Sequence, residues 1–291
     1  MIIKLRDSAV AHDPLFFKNT KNIIYSREPV RDGDVVLYTN GHFHEYHANA
    51  KMKIAVLMDT REVQGEAYNY IANNYNKYDL VFTNIKELLD LNNVIIKEAK
   101  CLGPSWLHDD YIKIYKKTKI CSMISSSKSF LAGHKLRLEV MEYVNKNYPI
   151  IDLFGNNFIE LKRAETGNPR CKSNGKINGL KNYMFSIVME NCYHDYDFTE
   201  KIIDSFLSGT IPIYRGCPSI YKYFNINGIL TFNTLDELVN ILNNLSENKY
   251  NDMYEYVQEN FNKAQNYKNF TLNDDVILDY YKKKEEQQKE E

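Results

Sequence analysis

Short runs of apolar residues alternate with amphipathic stretches along the whole chain. In the first half, five runs that are rich in β-branched or aromatic residues and bounded by polar ones predict strands. They lie at residues 1–4, 35–39, 54–58, 80–83 and 94–96. Between them, Tyr68, Ile71 and Tyr75 recur at spacings of three and four, which predicts a helix over residues 66–78. A second helix is predicted at residues 85–91.

The second half repeats this alternation. Its predicted strands lie at residues 120–124, 150–154, 184–189, 211–214 and 229–232, and its predicted helices at 136–144, 199–207, 219–223 and 235–245. Strands that alternate with helices are typical of parallel sheets covered by helices. The sequence therefore predicts an α/β fold with two Rossmann-like lobes, whose mostly parallel sheets face a central cleft.

Two breaks in the pattern suggest how the chain is divided. Gly103-Pro104 interrupts the alternation and a lysine-rich stretch follows, so a boundary is expected within residues 103–117. We therefore predict an N-terminal lobe at residues 1–112 and a second lobe at 113–275. Residues 276–291 are assigned to a charged tail, and because residues 282–291 contain no apolar side chain, that last part is predicted to be a frayed solvated helix or a disordered segment. Residues 165–181 are predicted to form a loop.

Composition narrows the class of protein. The length of 291 residues leaves room for two domains, and the net charge of −1 gives no basic field that would attract nucleic acid. The five cysteines include no Cys-x-x-Cys pair, which argues against a disulfide framework or a structural zinc site. No apolar run approaches the roughly 20 residues that span a bilayer. These features predict a soluble, cytoplasmic protein with no nucleic-acid partner and no transmembrane segment.

The segment 183–220 concentrates the candidate chemistry. Glu190 and Asn191 follow a predicted buried strand, and ligands of open α/β sheets bind at the carboxyl ends of strands. Thr199 is a good N-cap for the next helix, and Gly209 can end it. A helix amino terminus favours anions, yet Lys201 lies in the first turn of this one. A bound diphosphate would resolve that conflict; a solvated lysine is the alternative.

The same segment carries a spaced pattern of identities. Phe-x-x-x-x-Glu-Asn, then Thr-Glu-Lys, then Ile-Pro-Ile-x-x-Gly is formed by Phe185, Glu190, Asn191, Thr199, Glu200, Lys201, Ile211, Pro212, Ile213 and Gly216. In this the sequence resembles the α-1,3/4-fucosyltransferases of glycosyltransferase family 10, most strongly over residues 183–219. The resemblance implies a GT-B fold, GDP-fucose as the donor, a glycan as the acceptor, inversion at the anomeric carbon, and no required metal or cofactor.

The resemblance also implies roles for particular residues. Lys201 would contact the diphosphate, Glu200 the ribose hydroxyls, and Asn191 the fucose side of the site. Arg137, at the start of the first helix of the donor lobe, would contact the phosphates; an exposed helix arginine is the alternative. The full set of implied donor-binding residues is Arg137, Glu190, Asn191, Tyr196, Asp197, Thr199, Glu200 and Lys201.

One position departs from the family pattern. The family has Asp-Tyr-x-Thr-Glu-Lys, whereas here Asp197 stands at the tyrosine position and Tyr196 is shifted by one residue. Two interpretations stay open: a one-residue change of register restores Tyr196 to the tyrosine position, or the donor is another GDP- or UDP-sugar. Asp195 and Asp197 also match the Asp-x-Asp signature with which GT-A glycosyltransferases bind Mn²⁺ or Mg²⁺, but the surrounding pattern favours the metal-independent GT-B class.

An inverting transfer needs a general base near the acceptor hydroxyl. In the family this base lies in the first lobe just after a strand, and the matching place here holds Asp59, the first candidate, and Glu62, the second. The alternative is that both are ordinary loop carboxylates, with Asp59 paired to Arg61. The first half otherwise carries little of the family pattern, so a catalytically silent nucleotide-sugar or glycan-binding protein is a second possible class.

Three histidines lie close together in the first half. Alternation along a strand would place His42 and His44 on one face, with His47 nearby. No carboxylate or cysteine completes a recognisable metal-ligand set. The sequence therefore favours a surface loop cluster, lining the acceptor cleft, over a metal centre.

Overall fold

The computed structural model describes residues 1–7, 17–99, 103–155, 158–161, 170–269 and 272–290. The chain divides into two compact units, one formed by residues 1–100 with 270–291 and the other by residues 101–269. Each unit is built around a parallel β-sheet with helices packed on it. The predicted fold class of two α/β lobes with parallel sheets is confirmed.

The first unit contains a six-stranded sheet. Its strands are β1 (Ile2–Arg6), β2 (Ile24–Ser26), β3 (Val35–Thr39), β4 (Met52–Val56), β5 (Leu80–Thr83) and β6 (Ile96–Glu98), and its first helices are α1 (Gly65–Asn74) and α2 (Lys86–Leu89). The strand order is β2-β1-β3-β4-β5-β6, and all neighbours are parallel. Strand β2 was not predicted, because it is a three-residue edge strand with little burial.

Both faces of this sheet are covered, which explains its continuous apolar runs. On β3, Val35 and Leu37 pack into one core cluster, whereas Val36 and Tyr38 pack into the cluster on the other face. Because all strands run the same way, the segments that follow β3, β4 and β5 emerge at one edge of the sheet.

The second unit contains a five-stranded sheet. Its strands are β7 (Lys119–Ile124), β8 (Asp152–Phe154), β9 (Tyr183–Met189), β10 (Ile211–Arg215) and β11 (Leu230–Thr231), and its helices are α3 (Ala132–Asn147), α4 (Glu200–Leu207), α5 (Leu235–Asn243), α6 (Glu247–Asp252) and α7 (Tyr254–Ala264). The order β11-β10-β9-β7-β8 is parallel throughout and makes β9 the central strand. Every residue of β9 is buried.

The end of the chain differs from the predicted charged tail. Residues 274–290 form helix α8 (Asp274–Glu290), which belongs to the first unit. Ile277 is fully buried in the core of that unit, and Lys284 pairs with Asp79 at 2.5 Å while Glu285 pairs with Lys51 at 2.5 Å. The helix therefore has an apolar anchor near its start and ion pairs further along. Among the described residues, no helix has the length and apolar character needed to cross a membrane.

The division between the units also lies earlier than the predicted boundary at residues 112 and 113. Leu107 is buried in a core cluster of the second unit, and the Ser105 hydroxyl donates a hydrogen bond to Asp204 of α4. Residues 103–112 therefore pack with the second sheet. Of the loop predicted at residues 165–181, residues 165–169 lie outside the described residues, and Gly175–Gly179 forms a short 3-10 helix.

Candidate functional site

Glu190 joins the two ends of the loop that connects β9 to α4. It follows the last residue of β9, and it is 1% exposed. Its N–H donates to the Arg215 carbonyl at 2.9 Å, which continues the pairing of β9 with β10. One of its carboxylate oxygens accepts from the Thr199 N–H at 3.0 Å and the other from the Thr199 hydroxyl at 2.7 Å. Glu190 thus ties the end of the strand to the start of the helix.

Gly216 makes room for this arrangement. A β-carbon at this position would lie 2.4 Å from the Tyr214 hydroxyl oxygen and 2.6 Å from Cγ of Glu190. Such contacts are too close for any residue other than glycine unless Glu190 or Tyr214 moves. The glycine that ends the Ile-Pro-Ile-x-x-Gly pattern therefore has a packing role beside Glu190.

Lys201 lies in the first turn of α4, after the N-cap Thr199, whose hydroxyl oxygen accepts from the Lys201 N–H. The Lys201 ammonium donates to the Thr199 hydroxyl oxygen at 2.9 Å and lies 3.2 Å from a Glu190 oxygen and 3.4 Å from a Glu200 oxygen. Burial lowers the pKa of Lys201, but the two carboxylates outweigh it and hold the pKa above its usual range. The cation at the helix amino terminus is thus stabilised by two carboxylates of the protein.

Glu200 is a buried carboxylate at the start of the same helix. Burial raises its pKa, but the charges of Lys201 and Lys176 outweigh that effect and hold the pKa below its usual range. The side chain is therefore ionised at neutral pH and can accept hydrogen bonds from hydroxyl groups.

Arg137 brings a second cation to the carboxyl end of β9. The residue lies on α3 and is 5% exposed, so it is not an exposed helix arginine. One guanidinium nitrogen, Nη1, donates to the Asn191 side-chain oxygen at 3.2 Å and to the Met189 carbonyl at 3.5 Å. Burial lowers its pKa, and the charges of Glu190 and Glu200 oppose that shift. Arg137 and Lys201 thus reach consecutive residues at the end of the same strand from separate helices.

Several residues of this cluster were missed by the sequence reasoning. The hydroxyls of Ser125 and Ser126, just after β7, accept from Arg137 at 3.2 and 3.4 Å. His134, one turn before Arg137, is 1% exposed, and burial together with the charge of Arg137 lowers its pKa. The run Ser125-Ser126-Ser127 directly after a predicted strand was the available signal. Nothing in the pattern distinguished His134 from a surface histidine.

Tyr196 and Asp197 are directed to other parts of the second unit. Tyr196 has a φ of 63°; its N–H donates to the Ser219 hydroxyl at 2.9 Å, and its own hydroxyl accepts from the Lys222 ammonium at 2.7 Å. Asp197 is 1% exposed and accepts from the Cys192 thiol at 2.9 Å. The structure therefore gathers Arg137 and the residues 190, 191 and 199–201, whereas Tyr196 contacts Ser219 and Lys222, and Asp197 contacts Cys192 within its own loop.

The candidate bases lie in the first unit. β4 ends at Val56, so Asp59 stands three residues beyond the strand, with a φ of 67° and an exposed side chain. Its carboxylate accepts from the Thr60 N–H at 2.8 Å, and its carbonyl accepts from the Tyr68 hydroxyl at 2.9 Å. Arg61 forms an ion pair with Glu87 at 3.8 Å, so the alternative pairing with Asp59 is not observed. Glu62 is exposed.

The three histidines contact different partners. His42 Nδ1 lies 2.6 Å from a Glu45 oxygen, His47 Nδ1 lies 3.0 Å from the Tyr38 hydroxyl, and the His44 ring packs edge-on to Tyr70. Within the described part of the chain, no three His, Cys, Asp or Glu side chains are grouped so that they could hold a metal ion.

The fold defines a class of protein. Two α/β units that each contain a parallel sheet are the architecture of GT-B glycosyltransferases, and solved structures of an α1,3-fucosyltransferase and of TarM share this fold. Residues 114–286, more than half of the chain, match the family model described as glycosyltransferase family 10 (fucosyltransferase) C-term. The chain belongs to this family, as the sequence pattern predicted.

Individual relatives agree with this assignment. A segment of 110 residues is 36% identical to the alpha-(1,3)-fucosyltransferase FucT of Helicobacter pylori, and it spans 35% of this chain and 23% of that protein. Among solved structures, an α1,3-fucosyltransferase with GDP-fucose is similar with a TM-score of 0.52 and 20% identity, over 84% of this chain and 79% of that one. TarM is similar with a TM-score of 0.50 and 18% identity, over 86% of this chain and 54% of that one.

Proposed function

We propose that the chain transfers fucose from GDP-fucose to a hydroxyl of a glycan acceptor, with inversion at the anomeric carbon and without a metal ion. The observation that carries the proposal is the convergence of two cations, the buried Arg137 and the partly exposed Lys201, on residues 189–191 at the carboxyl end of β9. Membership of family 10 and the likeness to a fucosyltransferase crystallised with GDP-fucose support the choice of donor.

The two cations would bind the diphosphate. Each charge-assisted contact contributes about 1.5–3 kcal/mol. Glu190 and Thr199 would hold the Lys201 ammonium at the start of α4, where the helix dipole favours an anion. Glu200 would accept hydrogen bonds from the ribose hydroxyls, and Asn191, oriented by Arg137, would lie toward the fucose.

The transfer would be a single displacement. The acceptor oxygen forms a bond to the anomeric carbon while the bond from that carbon to the β-phosphate oxygen breaks, and GDP leaves with the bonding electron pair. A carboxylate of the first unit takes the proton of the acceptor hydroxyl; we propose Asp59 for this role, with Glu62 as the second candidate. Positive charge develops on the sugar ring in the transition state. The leaving diphosphate, neutralised by Arg137 and Lys201, stabilises that transition state.

A different donor is the second candidate. Tyr196 is held by Ser219 and Lys222, and Asp197 is buried against the Cys192 thiol, at the place where the family pattern has its tyrosine. A changed contact at this place is compatible with another GDP-sugar or with a UDP-sugar.

A nucleotide panel tests the proposal. We expect GDP and GDP-fucose to raise the melting temperature of the protein and UDP to leave it unchanged. Stabilisation by UDP alone would remove the assignment of GDP-fucose as donor. Stabilisation by GDP-fucose without turnover across a broad acceptor array would favour the silent binding protein instead.

The Lys201→Ala variant tests the site itself. We expect it to fold and to lose turnover by about a hundredfold or more, because a cation that meets developing charge on the leaving group is removed. Lys146→Ala, an exposed lysine at the far end of α3, is the matched control and should behave as wild type. Near-normal turnover in folded Lys201→Ala would exclude a role for Lys201 at the diphosphate.

A further inference from the structure

A lysine from the short 3-10 helix Gly175–Gly179 reaches helix α4. The Lys176 ammonium lies 2.6 Å from an oxygen of Asp204, and the Lys176 side chain is 13% exposed while that of Asp204 is fully buried. The short helix that carries Lys176 is held in place by contacts of residues before and after it in the chain. The Asn174 side chain accepts from the Lys176 N–H, and Ile177 and Leu180 are buried in the core.

Asp204 is also held from a third element. The Ser105 hydroxyl donates to one of its oxygens at 2.6 Å, and the Trp106 N–H donates to the same oxygen at 3.2 Å. The Lys176 ammonium lies 5.0 Å from the centre of the Trp106 ring, within the range of a cation–π contact. The ion pair is therefore buried, and Asp204 also accepts hydrogen bonds from Ser105 and Trp106. Such additional hydrogen bonds are needed to offset the cost of removing two charges from water.

Asp204 lies one helical turn after Glu200. Residues four apart share a face of a helix, so two buried carboxylates stand side by side on α4. Burial raises the pKa of Asp204, and the charge of Glu200 raises it further, while Lys176 opposes both effects. At Glu200, Lys176 acts together with Lys201 against the effect of burial. The Lys176 ammonium thus pairs directly with Asp204, and through Asp204 it holds the helix that carries Glu200.

We propose that Lys176 is a positioning residue of the donor site, which holds α4 through its ion pair with Asp204 and so fixes the place of the Glu200 carboxylate, one turn earlier, where it can accept hydrogen bonds from the ribose hydroxyls. This inference rests on the proposed function, because it assigns the ribose to Glu200. It predicts that the contribution of Lys176 to nucleotide affinity depends on those hydroxyls, because Lys176 acts through the position of Glu200.

The test measures the binding of GDP and of 2′,3′-dideoxy-GDP by calorimetry in wild type and in Lys176→Met. Wild type should bind GDP more tightly than the dideoxy compound. Lys176→Met should weaken GDP binding by about tenfold, the scale of one hydrogen bond to a charged acceptor, and leave the dideoxy compound within about twofold. Lys176→Arg should restore most of the loss of GDP affinity, since arginine can restore the ion pair with Asp204 that holds α4.

Two further variants keep the test decisive. Lys172→Met removes a lysine from the same segment, but that lysine is 65% exposed, so this variant should bind both nucleotides as wild type does. If Lys176→Met does not fold, the double variant Lys176→Met with Asp204→Asn removes both buried charges and should fold, and it should show the same selective loss of GDP binding.

The possible failures are distinguishable. Equal weakening of both nucleotides, or no weakening of either, in a folded Lys176 variant would overturn the inference and leave the proposed function intact. Equal affinity of wild type for the two nucleotides would overturn the inference and the assignment of the ribose hydroxyls to Glu200, but it would leave the proposed transfer from GDP-fucose intact. If wild type binds neither GDP nor UDP, the proposed function fails and the inference fails with it.

Discussion

Gly133 faces the backbone of Asn191 so closely that a β-carbon on it would lie 2.1 Å from the Asn191 carbonyl oxygen and 2.6 Å from the carbonyl carbon. The second residue of α3 is therefore in direct contact with the loop after β9. Arg137 joins the same two elements again, because its guanidinium donates to the Asn191 side chain. The position of Arg137 relative to the end of β9 thus depends on a glycine.

We expect Gly133→Ala to damage the donor site. The neighbour is backbone and cannot rotate away, so α3 or residue 191 must shift by about 1 Å, and a misplacement of that size can cost about a hundredfold in rate. The variant should lose stabilisation by GDP, and its turnover should fall by about that factor. Melting temperatures with and without GDP, together with steady-state rates, measure both effects.

Gly65→Ala is the matched control for this prediction. Gly65 is the first residue of α1, and a β-carbon there would meet nothing within 4 Å. Alanine favours a helix over glycine by up to about 1 kcal/mol, so this variant should be as stable as wild type or slightly more so, with unchanged turnover. If Gly133→Ala were as stable and as active as Gly65→Ala, the close contact between Gly133 and Asn191 would have no consequence for the site.

The proposed base gives a second prediction. Asp59→Asn keeps the size of the side chain and removes its basicity, so turnover should fall by about 10²- to 10⁴-fold with little change in the donor KM. Glu62→Gln should remain close to wild type. Initial rates at varied donor and acceptor concentrations measure the turnover and the donor KM separately. The reverse result would make Glu62 the base, and near-normal rates in both variants would place the base elsewhere.

The sequence predicted the structure best where the local pattern of residues agrees with the tertiary environment of the segment. β9 is apolar at every position except Ser186 because it is the central strand and is buried on both faces, and Thr199 caps α4 as its residue type suggested. Lys201 was recognised as a first-turn cation that needs an anionic partner. Its observed partners, Glu190 and Glu200, could not be deduced from spacing, because the contact with Glu190 depends on how the intervening loop folds back.

The elements that were missed lack a strong local pattern. α6 and α7 were not predicted, because their sequence is polar with few apolar positions; yet they bury Tyr250, Val257 and Ala264 against the second sheet. The return of α8 to the first unit depends on Ile277 and on ion pairs with Lys51 and Asp79, which are more than 190 residues away in the chain. Contacts between residues so far apart in the chain do not affect the spacing of apolar residues, so the sequence pattern could not predict them.

Metal removal gives a third prediction. If Arg137 and Lys201 neutralise the diphosphate, turnover should be unchanged after treatment with EDTA, and addition of Mn²⁺ or Mg²⁺ should not increase it. Asp195→Asn should likewise retain activity, because the proposed transfer assigns no metal to the Asp-x-Asp sequence. Strong inhibition by EDTA that Mn²⁺ reverses, together with inactivity of Asp195→Asn, would support a metal role for Asp195 and Asp197.

Lys117 provides a prediction about stability and pH. Its ammonium donates to the Ser208 carbonyl at 2.8 Å and to the Thr210 hydroxyl at 2.9 Å, just beyond the end of α4. Burial lowers the pKa of Lys117 to about 7. Lysine in an unfolded chain has a pKa of about 10.4. Between these two values the unfolded state binds more protons than the folded state, so the free energy of unfolding should rise with pH from about 7 to about 10.

Lys117→Met isolates this effect, because methionine fills similar space and does not titrate. The variant loses the hydrogen bonds to Ser208 and Thr210 at every pH, so the informative quantity is how the difference in unfolding free energy between wild type and variant changes with pH. Urea unfolding at pH 6.5, 8 and 9.5 should show that wild type gains stability relative to Lys117→Met as pH rises. A constant difference across this range would mean that the surrounding oxygens keep the ammonium protonated in the folded protein, with a pKa close to that of the unfolded chain.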